Sequence, residues 1–377
     1  MRILKITKLC TGCGACANIC PKHCISMVEN KEGFLYPSVL QEKCVNCGLC
    51  EKVCPIFNAL STTNPTAVYA ATYKEDSIRE KSSSGGVFYA LAHNIIQQGG
   101  VVFGAVFSKD FKVEHQAIDT QEEIEKLMRS KYVQSDINDQ YRLVKKHLTQ
   151  GRRVLFVGSP CQVAGLQMYL QKKYENLTTV DFICHGVPSP RVWHQYLQEL
   201  EKERQSKVAS INFRDKSKGW GLYTLKIVFE NGEILREAAT ENLYIRAFLQ
   251  NITLRNSCFN CKSKGCYQSD ITIGDFWGIK DIHPELYSEK GVSLILVNSQ
   301  KGGSFIEETP GLFLYPSSFE NAIRCNPSWK WSSGKNWGRA SFFKKLNKKS
   351  IKVNLQQAVS SPLLWRIQAK LHALKRK

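Results

Sequence analysis

The sequence predicts an α/β chain (α+β overall) in two unequal parts, a small cysteine-rich unit followed by a larger mixed-sheet α/β domain. Three observations carry this. Nine of the fifteen cysteines fall between Cys10 and Cys54. From residue 67 onward, short apolar runs alternate with amphipathic stretches, as strands interleaved with helices do. One pair of runs is joined by Asn231-Gly232, a two-residue hairpin turn that demands antiparallel neighbours within the sheet.

The elements follow in chain order. Residues 1–60 form the cysteine-rich domain, and the polar STTNPT (61–66) is a linker. AVYAATY (67–73) predicts a strand. SSSGG (82–86) opens a helix, VFYALAHNIIQQ, that Gly99-Gly100 ends. VVFGAVF (101–107) and FKVEHQAI (111–118) predict strands, and Thr120 with Glu123 has the spacing of a capping box. After SKYVQSD comes a helix over 137–149, then the buried strand VLFV (154–157) running into GSPCQ. TTVDFIC (178–184) is a strand, and Ser189-Pro190 starts a helix as cap and first-turn proline. LYTLKIVFE and EILREAA make the hairpin, and a helix around 241–250 leads to CFNC. DITIGDFWG (270–278) and GVSLILVN (291–298) are further strands, completing a domain over 67–335. Residues 336–377 read as a basic tail that ends in an amphipathic helix, with Leu363, Leu364, Ile367, Leu371 and Leu374 on one face. That face suits packing on the domain, or peripheral contact with a membrane or partner.

Hydrophobic content of 43% and charged content of 23% are those of a soluble globular protein. No apolar run has the length to cross a bilayer, and MRILKITKLC lacks a secretory h-region, so a cytoplasmic location is expected. In that reducing compartment fifteen cysteines are metal ligands rather than a disulfide framework.

Two runs carry the strongest signal. They are Cys10-x2-Cys13-x2-Cys16-x3-Cys20-Pro21 and Cys44-x2-Cys47-x2-Cys50-x3-Cys54-Pro55. Three cysteines spaced by two residues wrap one face of a cubane, and the fourth points away to the other cluster. Cys10, Cys13, Cys16 and Cys54 therefore hold a first [4Fe–4S] cluster, and Cys44, Cys47, Cys50 and Cys20 a second. This is the pattern of a bacterial-type dicluster ferredoxin domain. Zinc sites pair two C-x-x-C hooks instead of doubling a four-cysteine run. Cys24 is left over as a small buried residue.

A second constellation is dispersed. Cys161 follows a buried strand, Cys184 ends another, and Cys258-x2-Cys261 forms a hook with Cys266 behind it. Carboxyl ends of parallel strands gather at one sheet edge, so these thiols can meet there. Two readings stand on spacing alone: a third [4Fe–4S] cluster, or two buried cysteines beside a zinc hook.

The formal charge of +19 invites a nucleic-acid reading. Twelve thiolates on three clusters would lower it to about +13. Much of what remains sits in the last forty residues, and no zinc-finger, RNA-recognition or helix-turn-helix signature accompanies it. Nucleic acid is therefore not the expected partner, and a solvated basic tail accounts for the charge.

With GSPCQ, DFICHGVPSP, CFNCKSK and DITIGDFWG in this order, the chain resembles the coenzyme F420-reducing hydrogenase/dehydrogenase β-subunit family, in its form with an N-terminal dicluster ferredoxin. The likeness spans roughly residues 5–330. It implies FAD bound beside an iron–sulfur cluster. It also implies a third [4Fe–4S] cluster on Cys161, Cys184, Cys258 and Cys261, with Cys266 able to replace a hook cysteine.

The same resemblance makes Ser84, Gly85 and Gly86 part of the flavin site. A helix start offers N–H groups to a pyrophosphate there, although such a turn can be only a cap. Lys131 would supply charge, Tyr132 stacking, and Gln134 and Ser135 polar contacts; an ordinary exposed loop is the alternative. His185 and Asp275 would serve proton transfer, or His185 would hydrogen-bond to a cluster sulfur. The expected protein is an iron–sulfur flavoprotein oxidoreductase. It would exchange electrons with a ferredoxin or other redox partner and act on an unidentified organic substrate. An electron-transfer subunit without substrate chemistry of its own is the rival, and use of coenzyme F420 itself does not follow.

Overall fold

A computed structural model describes residues 8–58, 64–266 and 268–359. The C-terminal amphipathic helix expected at 362–377 and part of the linker lie outside the described residues.

The N-terminal unit holds a two-stranded antiparallel ribbon, β1 (Ile25–Glu29) and β2 (Leu35–Val39), with short helices at Ala15–Ile19 and Leu49–Lys52. The larger domain contributes β3 (Ala67–Tyr73), β4 (Val101–Phe107), β5 (Val113–Ile118), β6 (Val154–Val157) and β7 (Leu177–Phe182). It continues with β8 (Val208–Asp215), β9 (Thr224–Phe229), β10 (Ile234–Ala238), β11 (Ile271–Asp275), β12 (Ser293–Val297) and β13 (Leu312–Pro316). Eight of these build one mixed sheet in the order β13-β3-β12-β11-β7-β6-β4-β5. Its centre is parallel, β11-β7-β6-β4, and both flanks are antiparallel. Val154, Leu155 and Phe156 of β6 are fully buried, which explains a strand that is apolar at every position instead of alternating. The parallel centre also brings the carboxyl ends of β6, β7 and β11 to one edge, where the chemistry-bearing loops begin.

The hairpin at Asn231-Gly232 joins β9 to β10, with Gly232 at φ 86° as the turn requires. It belongs to a separate three-stranded sheet with β8, a strand whose irregular pairing hid it from a period-two reading. Ser189 caps the helix Pro190–Arg204 by accepting from Val192 N–H. Thr120 makes no side-chain cap; the segment turns as a 3-10 helix, Gln121–Glu123, before Ile124–Leu127.

Residues 339–358, assigned by sequence to a basic tail, form the helices Arg339–Lys345 and Ile351–Ala358. Phe342, Leu346, Ile351 and Leu355 join Trp193, Tyr196 and Leu200 in the core beneath the three-stranded sheet. The lysines of this stretch alternate with apolar positions, and those apolar positions supply the packing face.

The cysteine-rich unit is bound into the rest. Ala15 and Val53 enter the core formed by Tyr141, Val163 and Leu166. Four arginines fasten its backbone and acids: Arg142 to the carbonyls of Ala17 and Asn18, Arg191 to Glu29, Arg255 to the carbonyl of Cys10, and Arg339 to Glu32 in a bidentate pair. Because Leu355 is fully buried, Leu355→Ala should cost about 2–5 kcal/mol. Urea unfolding measures this, and an unchanged midpoint would contradict the packing of the C-terminal helices.

Candidate functional site

Thirteen cysteines line three cavities. Cys10, Cys13, Cys16 and Cys54 line the first, closed by Met27, Pro37 and Ile56. The left-handed Gly14 (φ 75°) turns the chain from Cys13 into the short helix bearing Cys16. Cys20, Cys44, Cys47 and Cys50 line the second, together with Cys24. Cys24 Sγ lies 3.3 Å from Cys20 Sγ, so the leftover cysteine stands inside a metal niche and not in a separate core. Cys47 is exposed, which leaves this niche the most open to solvent.

The third cavity is lined by Cys161, Cys184, Cys258 and Cys261. Cys161 sits in the first turn of the helix Pro160–Leu170, which Ser159 and Gln162 close with a capping box. Cys184 lies two residues beyond β7, and the hook arises from a 3-10 turn, Asn256–Asn260. Cys266 is absent from the lining. Lys264 reaches the same space, donating to the carbonyls of Cys184 and Ser328.

Burial pushes the thiols of Cys161, Cys184 and Cys258 up to about 12, and that of Cys13 likewise. Thiols held this way bind as thiolates only when a cation replaces the proton. Among the described residues no three His, Cys, Asp or Glu side chains converge on a single ion. The sulfurs instead line small spaces, and at least four thiols at each make a donor set that fits an iron–sulfur cluster.

A larger cavity, about 610 Å3, opens beside the third. Ser84, Gly86, Lys131, Tyr132, Gln134, Ser135, His185 and Asp275 all line it. Gly85 does not. Its N–H is held by Ser293 Oγ at 2.9 Å, and a Cβ would stand 2.5 Å from the Ala71 carbonyl. Gly85 therefore lets the loop pass β3 and β12, while Gly86 (φ 93°) starts the helix Val87–Gln97 facing the cavity.

The polar groups expected to meet a ring are largely engaged within the protein. Lys131 Nζ donates to the carbonyls of Leu127, Met128 and Arg129, and burial pulls it down to about 7. Gln134 bridges away from the cavity, donating to the Thr11 carbonyl at 2.9 Å and accepting from Arg255 at 3.0 Å. The Tyr132 ring stacks on Phe248 at 4.9 Å between centroids. His185 meets the same Phe248 edge-on at 5.0 Å and lines both the third and the large cavity.

Asp275 accepts from Arg214 at 3.1 Å and from Trp220 Nε1 at 2.8 Å. Arg214 was not foreseen. It is 4% exposed, lies between Tyr223 and Trp277, and also reaches the Ser83 carbonyl. It comes from β8, where nothing in the local pattern marks it.

His115 was likewise unforeseen. Its Nε2 donates to the Val157 carbonyl, which leaves Nδ1 to accept from Ser135 Oγ at 2.6 Å. Ser135 thus offers lone pairs, and no proton, to whatever fills the cavity.

A cysteine-lined N-terminal unit docked on a mixed α/β domain defines an iron–sulfur protein of the electron-transfer class. Residues 9–58 match the 4Fe-4S dicluster domain. Residues 68–140 match the N-terminal part, and 151–310 the C-terminal part, of the coenzyme F420 hydrogenase/dehydrogenase beta subunit. The chain belongs to that family, and its membership makes it an iron–sulfur oxidoreductase. Among solved structures it is similar to the F420-reducing [NiFe] hydrogenase complex from Methanosarcina barkeri, studied by xenon derivatization, at 17% identity over 78% of this chain and 92% of that one, with a TM-score of 0.46. No curated protein matches the chain.

Burial holds His115 down at about 4, below its unfolded value near 6.5. The unfolded chain therefore binds the extra proton between these values. On the order of 3 kcal/mol of stability, present above pH about 6.5, should be lost as pH falls to about 4. Urea unfolding against pH should show this component in the wild type and lack it in His115→Gln; the same acid slope in both would contradict the assignment.

Proposed function

We propose that the chain is a flavin-dependent iron–sulfur oxidoreductase that carries electrons between a redox-protein partner and an organic substrate. The observation that carries this reading is the sharing of walls between neighbouring sites. Thr11 lines both the first cysteine cavity and the third. Cys161, Cys184, His185, Gly186 and Val187 line both the third cavity and the 610 Å3 cavity. Cys20, from the first cysteine run, lines the second niche, and Cys54, from the second run, lines the first, so the two runs join these niches through the chain. The sites therefore form a series, with the niche of exposed Cys47 at the outer end, where a ferredoxin-type partner would dock.

In this reading Cys161, Cys184, Cys258 and Cys261 hold a third [4Fe–4S] cluster, and FAD occupies the large cavity. FAD supplies the exchange of a two-electron hydride for single electrons. The helix start at Gly86-Val87 provides positive dipole and open N–H groups for a pyrophosphate. Tyr132, Tyr223, Phe248 and Trp277 give aromatic walls for a planar ring system, and Ser135 accepts from a ring N–H. Arg214, held by Asp275, puts a fixed positive charge in the wall. His185, between the third and large cavities, is placed to hold a proton.

Anaerobic purification with iron, sulfide and flavin quantitation tests this. About twelve iron and one FAD per chain are expected, at four iron per cluster, and Cys161→Ser should lose about four of them. About eight iron with no flavin would overturn the reading in favour of a plain electron carrier.

A further inference from the structure

Arg255 presents a charge that the protein itself does not balance. Its side chain is fully buried. Its three hydrogen bonds run to neutral oxygens: the Cys10 carbonyl at 2.7 Å, Gln134 Oε1 at 3.0 Å and the Leu35 carbonyl at 2.8 Å. The guanidinium lies over the Tyr36 ring at 4.2 Å. Among the described residues no carboxylate forms an ion pair with it, and the nearby Glu32 is taken by Arg339. A buried cation of this kind costs several kcal/mol unless an opposite charge stands close by.

The Arg255 guanidinium lies against the first cysteine niche, and its backbone borders the third cavity. On one side is the loop of the first cysteine niche, packed so closely that a Cβ on Gly12 would meet the guanidinium at 2.9 Å. On the other, the Arg255 carbonyl accepts from Cys258 N–H at 3.0 Å, and its own N–H donates to Val187, which lines the third cavity. A thiolate-ligated [4Fe–4S] centre carries roughly −2 when oxidised and one more negative charge when reduced. The lining of the second niche holds Lys22 and that of the third holds Lys264, so Arg255 adds a further, buried positive charge beside the first and third sites.

We propose that Arg255 is the shared counter-charge of the first and third clusters, raising the reduction potential of both so that an electron is held on the inner centres in preference to the outer one. For the third cluster this rests on the ligand set proposed above; for the first it rests on the dicluster domain alone. The fixed charge favours the more negative, reduced form of each neighbour. It also explains why one of the four fastening arginines is bound only to neutral oxygens: the same guanidinium positions the first niche and balances it.

The test is an EPR-monitored reductive titration of the anaerobically prepared full chain with dithionite and mediators. In Arg255→Gln the first and third clusters should reduce at lower potential. At fixed potential their reduced-to-oxidised ratio should fall about tenfold, equivalent to about 59 mV for one electron. The second cluster should stay within a small fraction of that shift, and Arg255→Lys should restore most of the inner potentials. Should Arg255→Gln fail to take up its iron, Gln134→Glu decides, because it places a carboxylate against the same guanidinium and neutralises it in place. Unchanged inner potentials in either fully loaded variant, or an equal shift at all clusters, would overturn the proposal. If the wild type holds only about eight iron, the third-cluster reading fails by itself, and the first cluster still reports on Arg255.

Discussion

A thiol that is buried cannot ionise unless a cation takes the place of its proton, and the architecture of this chain follows from that constraint. Cys13, Cys161, Cys184 and Cys258 are all held up at about 12 by burial. In the proposed reading, metal does for these sulfurs what solvent does for an exposed thiolate. Iron binding and folding would then be coupled. The arginines that clamp the N-terminal unit bond mostly to its backbone carbonyls.

The clamping decides what the N-terminal unit can do. A dicluster module tethered only by a polar linker would sample many distances from its partner domain. Here Arg142, Arg191, Arg255 and Arg339 fix it, and Gly165 lets the helix Pro160–Leu170 approach until a Cβ would stand 3.0 Å from Cys13 Sγ. The first cysteine niche is pressed against the wall of the third, and the second is turned outward with Cys47 at the surface. A fixed series of sites suits directional electron flow, since spacing and potential are then properties of the fold.

Much of this was legible in the sequence because the signals were local. The doubled four-cysteine runs, the Asn231-Gly232 turn, the Ser189-Pro190 cap and the apolar run of β6 each state their geometry within a few residues. The dispersed cysteines could be placed at one sheet edge from the general rule for parallel strands, and β6 and β7 do run parallel. What stayed hidden depends on distant partners. Arg214 and His115 look like ordinary polar residues of strands until Asp275 and Ser135 come to meet them. Gln134 sits in a loop motif that suggests a ligand contact, yet its amide joins Thr11 to Arg255. The segment 339–358 was masked by its lysines, since burial of Phe342 and Leu355 is set by the helix Pro190–Arg204 far upstream.

The most direct measurement is anomalous diffraction at the iron edge from anaerobically grown crystals of the full chain. The account predicts three compact iron centres in series, the first bounded by Cys10, Cys13, Cys16 and Cys54, the outermost by Cys20, Cys44, Cys47 and Cys50, and the innermost by Cys161, Cys184, Cys258 and Cys261. Iron confined to the two N-terminal niches, or a single zinc at the Cys258–Cys261 hook, would contradict it.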